Sequence, residues 1–200
     1  MKRIVLAILM IALASGSALA QDPDNPFNNN IGIYLNQAAT GSCGAIGEDI
    51  PFTAYVIFTR LTNPEVWGWE AKFIYDNILL LGSAVYNDHI NASSRPGEFI
   101  IGYSEPAIPV NGTLVVAELN LAVNSFFNDV SQESNVFIEG IFFNLLPNEQ
   151  PAYLSASGGG GVALWQAIGG KEDPQLSMNC GCAPVATEES TWGTLKSLYR

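Results

Sequence analysis

Basic side chains are scarce in this chain: 8 Lys and Arg stand against 19 Asp and Glu, a formal charge of −11. Phosphate recognition draws on clustered Lys and Arg, so nucleic acid is excluded as a general partner. Histidine occurs once, as His89, and cysteine three times, at Cys43, Cys180 and Cys182. That leaves little for a metal or thiol enzyme, because a tetrahedral zinc site needs four ligands drawn mainly from Cys and His. No Gly-x-Ser-x-Gly elbow occurs, and His89 sits in an Asn-Asp-His-Ile-Asn segment read as a loop, so no Ser-His-acid constellation stands out. No repeat of fixed period is visible, which disfavours solenoids and propellers. What is present, 200 residues with 48% hydrophobic and 14% charged side chains, is the make-up of one modest globular domain with appendages.

The N-terminus has the form of a secretory leader. Lys2 and Arg3 precede an apolar run from Ile4 to about Ala14, and Ala18-Leu19-Ala20 offers the small residues a signal peptidase selects. The run is shorter than the roughly 20 residues needed to span a bilayer, and no later segment reaches that length. Cleavage is expected after Ala20, giving an exported, extracellular or cell-surface product with no membrane span. In an oxidising compartment Cys43 is expected to pair with Cys180 or Cys182, leaving one thiol over. A Cys180–Cys182 bridge is the alternative, at the cost of strain across a single intervening residue.

Between 31 and 165 the pattern is that of strands. Ile31, Ile33 and Leu35 alternate with Gly32 and Tyr34, and Phe52 to Thr59 is rich in β-branched and aromatic types. In Trp69 to Tyr75, Trp69, Ala71, Phe73 and Tyr75 share one face and Glu70 and Lys72 the other. Further strands are expected at 79–86, 98–103, 113–123, 136–142 and 161–165. Short strands split by Gly, Pro and Asn turns point to an all-β, antiparallel sandwich over residues 31–168. A polar lead-in (21–30) precedes it and a tail (169–200) follows.

Val66-Trp-Gly-Trp-Glu-Ala-Lys-Phe-Ile-Tyr-Asp76 followed by Asn77-Ile-Leu-Leu-Leu81 resembles the cohesin-like and related carbohydrate-binding-module sandwiches. Glu98 to Tyr103 is similar to the family's middle strand, and Gly112 to Val123 to its small-residue turn and long strand. The resemblance covers about Ile31 to Trp165. It implies a nine-strand, jelly-roll-like domain that acts by binding an extracellular protein module or a polysaccharide, and not by chemistry.

Within that frame Trp67, ahead of the expected strand, joins Tyr86 and Tyr103 as a candidate ligand-binding set, since aromatic rings stack on sugars. Trp69 and Tyr75 are assigned to the core instead. Glycosidases need a carboxylate pair about 5–10 Å apart; Glu70, Asp76, Glu98, Glu105, Glu118 and Glu139 fall mostly at outward positions, where a solvated sheet face accounts for them. A secreted glycoside hydrolase is therefore a minor alternative. No cofactor is required, although calcium at Asp76 or Asp88 is kept open in so acidic a protein; Asp22-Pro-Asp24-Asn25 lacks the Gly and Glu of a calcium loop. Asn91-Ala-Ser93 and Asn111-Gly-Thr113 match the glycosylation sequon, read as chance. In the tail, Trp192, Leu195, Leu198 and Tyr199 recur at helical spacing, with Ser190 or Thr191 as N-cap. That segment is read either as a docking or attachment signal or as a frayed terminus, and an envelope-assembly component attached through it is the second reading of function.

Overall fold

The computed structural model describes residues 27–47, 49–124, 133–141, 149–156 and 160–179. The leader, Cys180, Cys182 and the Trp192, Leu195, Leu198 and Tyr199 segment lie outside them. Among the described residues there is no helix, and hence none long and apolar enough to cross a membrane.

The strands are β1 (Asn30–Tyr34), β2 (Cys43–Gly44), β3 (Pro51–Thr59), β4 (Val66–Asp76), β5 (Ile78–Val85), β6 (His89–Asn91), β7 (Glu98–Ala107), β8 (Leu114–Val123), β9 (Ser134–Glu139), β10 (Ala152–Leu154), β11 (Gly161–Ala163), β12 (Trp165–Gln166) and β13 (Leu176–Met178). They form two sheets. Sheet A runs β12-β1-β3-β8-β5. Sheet B runs β11-β10-β4-β9-β13-β2, with β7 also paired to β4 and β6 to β7. The all-β sandwich is as expected, but two pairs, β1 with β12 and β2 with β13, are parallel.

Alternation decides the interior. Trp69, Ala71 and Phe73 from β4 meet Ile31, Ile33, Val56 and Phe58 from sheet A, together with Leu119, Leu121 and Ile138. The Trp69 ring stands edge-on to Phe58 and stacks on Phe99, and Phe99 meets Phe73 edge-on. Tyr75, the last inward residue of β4, is half-buried against the same core. Such rings each remove a large apolar area from water, and face offset or edge-on packing suits their charge distribution.

Turn chemistry follows the backbone it must adopt. Asn111 (φ 52°) and Gly112 (φ 73°) give the two left-handed residues of a tight turn from β7 to β8, closed by Val110 and Thr113 hydrogen-bonding each other's backbone. Asn77 (φ 56°) makes the corner between β4 and β5. Asn tolerates this conformation better than most residues with a Cβ.

Three features differ from the sequence reading. The segment around His89, read as a loop, is the short strand β6, paired with β7. Leu176 and Met178 lie beyond the expected boundary at 168, yet both are buried in the core. Gln175 brings them there: its side chain, fully buried, donates to the carbonyls of Ile168 and Asp173 and accepts from the Ile168 N–H. Glu70, read as solvated, is only 4% exposed, and Ala152 of β10, its neighbour on the same face, is fully buried, so this part of the face is covered.

Candidate functional site

The two sheets turn different outer faces to their surroundings. On sheet A, Tyr34 and Ile57 point away from the main core into a second apolar cluster with Ala39 and Ala167, flanked by Tyr55 and Val115. The loop after β1 supplies Ala39: the Asn36 carboxamide accepts from the N–H groups of Ala38 and Thr40, and the Leu35 N–H donates to the Gly41 carbonyl at 2.6 Å. Tyr34 lies flat over Gly32, where an added Cβ would meet the phenol oxygen at 2.7 Å. Burial raises the Tyr34 hydroxyl to about 12, opposed by the nearby Arg60 charge.

Sheet B leaves much of its outer face open, although Glu70 and Ala152, paired on that face, are buried. Lys72 stands between two carboxylates across three strands, with Glu139 of β9 on one side and Glu98 of β7 on the other. Lys72 Nζ is 3.3 Å from Glu139 Oε2, and Arg95 is 3.7 Å from Glu98. Beside this polar row Ile74 pairs with Phe137, both half-buried. Towards the other end Ile90, Gly102, Gly68 and Leu154 follow one another across β6, β7, β4 and β10. Ile90 is 75% exposed. Nothing lies within 4 Å of where a Gly102 side chain would start, so the backbone there is bare. At Gly68 a Cβ would run into the Ile101 carbonyl, so the close approach of β4 and β7 requires glycine.

The aromatic set expected from sequence does not assemble. Tyr103 is 7% exposed and faces the interior, where its oxygen accepts from Trp69 Nε1 at 2.9 Å. Burial raises its hydroxyl to about 12, with the Trp69 hydrogen bond opposing the rise. Parity explains the error: Tyr103 falls on the same side of β7 as Phe99 and Ile101, which are core residues. Trp67 lies within β4, and not ahead of it, and donates to Glu65 Oε2 at 3.0 Å. Tyr86 follows β5 on the other sheet, where its hydroxyl meets Glu118 Oε2 at 3.1 Å. Burial first, then that carboxylate, raises the Tyr86 hydroxyl.

The carboxylates named from sequence are spread over both sheets. Glu118 is on β8 of sheet A, whereas Glu98 and Glu139 border one cavity of about 210 Å³ with Lys72, Arg95, Glu149 and Lys171. Asp76 ends β4 in the open, and Asp88 accepts from the Ser104 hydroxyl at 3.2 Å. Among the described residues no group of three or more His, Cys, Asp or Glu side chains converges as a metal set. Cys43 is disulfide-bonded.

The sequence reading passed over a second aromatic pair. Phe27 stacks on Trp165 with ring centroids 4.2 Å apart and planes 13° from parallel. Both border a cavity of about 350 Å³. Phe27 had been placed in the polar lead-in and Trp165 at the end of the last expected strand, and only the pairing of β12 with β1 brings the two together.

No protein-family model matches the chain, and no curated protein does. Solved structures do. The sixth cohesin of scaffoldin B from Acetivibrio cellulolyticus, solved in complex with a Cel5 dockerin mutant, matches 76% of this chain over 99% of its own, with 13% identity and a TM-score of 0.51. The fold is cohesin-like. A type II cohesin domain from the cellulosome of the same organism (15% identity, 77% of this chain, 96% of that one, TM-score 0.49) and a non-cellulosomal cohesin from the archaeon Archaeoglobus fulgidus (11%, 84%, 98%, 0.44) are also similar. The fold assignment rests on the first of these.

Proposed function

We propose that this chain is a secreted, non-catalytic domain that recognises an extracellular protein module through the open face of sheet B. The observation that carries the reading is the contrast between the faces: sheet A is covered at β1 and β3 by its own cluster, whereas sheet B presents Ile90 and Gly102 at one end and Ile74 and Phe137 at the other, with the charged side chains of Lys72, Glu98 and Glu139 between them. Protein-recognition surfaces combine apolar contacts with charged and hydrogen-bonding groups. The bare backbone at Gly102 admits a partner's side chains at close range. Support also comes from the similar Acetivibrio cellulolyticus cohesin, which was solved with a dockerin bound. Export rests on the leader, and the processed chain should begin at Gln21 when its N-terminus is sequenced.

The test is capture from culture supernatant by the immobilised chain, followed by reconstitution with the purified candidate. A single protein module that binds the parent and loses at least tenfold in affinity to Gly102→Arg and to Ile100→Glu supports the proposal. Equal binding by parent and both variants, with folding confirmed by circular dichroism, overturns the assigned face.

A further inference from the structure

We propose that the cavity bordered by Phe27 and Trp165, at the β12 edge of sheet A, binds a neutral, pyranose-containing glycan chain. The first ground is the aromatic surface. Trp165 is fixed by its backbone: its N–H donates to the Asn29 carbonyl at 2.9 Å, and the Ala167 N–H two residues on donates to Ile31. Phe27 lies over one face of the Trp165 ring and is 45% exposed, so its outer side offers an apolar surface already held in place by the stack. Little conformational freedom is left to lose when a ligand stacks on such a pair.

The second ground is the polar lining. Glu149, Gln150, Gln166 and Lys171 border the same cavity. Gln166 is buried, and its Nε2 donates to the Ile138 carbonyl at 3.1 Å, which fixes its amide in place. Glu149 is held in a left-handed backbone conformation (φ 52°) with its carbonyl accepting from the Gly140 N–H. One carboxylate and one ammonium balance in charge, so the cavity does not select an ion of either sign. A wholly apolar ligand would strip water from these groups without replacing their hydrogen bonds. A sugar ring meets both demands, with axial C–H groups for the aromatic surface and hydroxyls at its rim for mixed donors and acceptors.

The third ground is size. About 350 Å³ lies within the range of small-molecule sites. This site is independent of the protein-binding reading, whose decisive residues, Ile100 and Gly102, do not border it.

The experiment is isothermal titration calorimetry of the full exported chain with cellohexaose, xylohexaose, mannohexaose and laminarihexaose. At least one is expected to bind, and Phe27→Ala and Trp165→Ala are each expected to weaken that binding at least tenfold. Trp165→Phe should recover part of the loss, Lys171→Met should cost severalfold, and Trp67→Ala should change nothing. Thermal unfolding of each variant shows that it is folded. No binding of any hexasaccharide at millimolar concentration overturns the proposal, as does unchanged binding by the folded Phe27→Ala and Trp165→Ala variants. Gly102→Arg should leave glycan binding intact, so failure of the protein-module reading is seen separately.

Discussion

Strands of sheet A and sheet B with the same type of sequence have different fates. In β3, Val56, Ile57, Phe58 and Thr59 are all buried, whereas β9 alternates buried and half-buried residues from Ser134 to Glu139. Sheet A is covered on both faces at this end, by the main core and by the cluster around Tyr34 and Ile57. A strand covered on both faces reads as a continuous apolar run, and one covered on a single face as alternation. The proposed protein-binding surface lies on the singly covered side of that difference.

The sharpest way to break this comparison is to truncate one residue on each outer face. Ile57→Ala removes a fully buried side chain from sheet A and should cost about 2–5 kcal/mol in urea unfolding. Phe137→Ala, on the half-buried outer face of sheet B, should cost less than about half as much, although the side chain is larger. Equal costs would mean that the two faces are covered alike.

Alkaline titration comes next. Tyr34 and Tyr103 have hydroxyls raised from 10 to about 12 by burial, one under each of the two clusters. A raised folded-state value contributes stability that is whole below pH 10 and is lost as the pH climbs through 12, because the unfolded chain ionises first. Each tyrosine should withdraw up to about 3 kcal/mol over that window, measured by urea unfolding from pH 8 upward. Tyr34→Phe should remove one such share.

At neutral pH the same two residues part company. The Tyr103 oxygen accepts from buried Trp69 Nε1, so Tyr103→Phe orphans a donor and should cost about 1–3 kcal/mol. The Tyr34 hydroxyl is buried with no hydrogen-bond partner among the described residues, so Tyr34→Phe should be neutral or slightly stabilising in thermal unfolding. Smallest is the Lys72–Glu139 pair, whose side chains are more than a third exposed. Lys72→Met should change stability by less than about 1 kcal/mol, with any effect fading at high salt.

The inward face of β4 was legible from sequence because Trp69, Ala71, Phe73 and Tyr75 recur with period two, and all four face the core. The turn into β8 at Gly112 came from the resemblance to cohesin-like sandwiches, and the part Asn111 plays in it was not read. Tyr103 was not legible, since its role depends on the parity of β7 and on Trp69 in the neighbouring strand. β13 was missed because three residues after a polar turn carry no pattern, and their place rests on the hydrogen bonds of Gln175. Phe27 and Trp165 were missed as a pair because a parallel contact between chain ends leaves no local trace.

By itself, then, the amino-acid order settled that the chain would make strands, where many of them turn, and which side chains share a face. Periodicity and turn preference act over a few residues, so one chain carries them in full. Which face stays wet, which aromatics meet and which charges share a cavity were decided only when the sheets stacked and the segments around Ala39 and Ala167 closed over part of one of them. Those outcomes depend on contacts between residues far apart in sequence, and alternation assigns residues to a face without saying what will cover it.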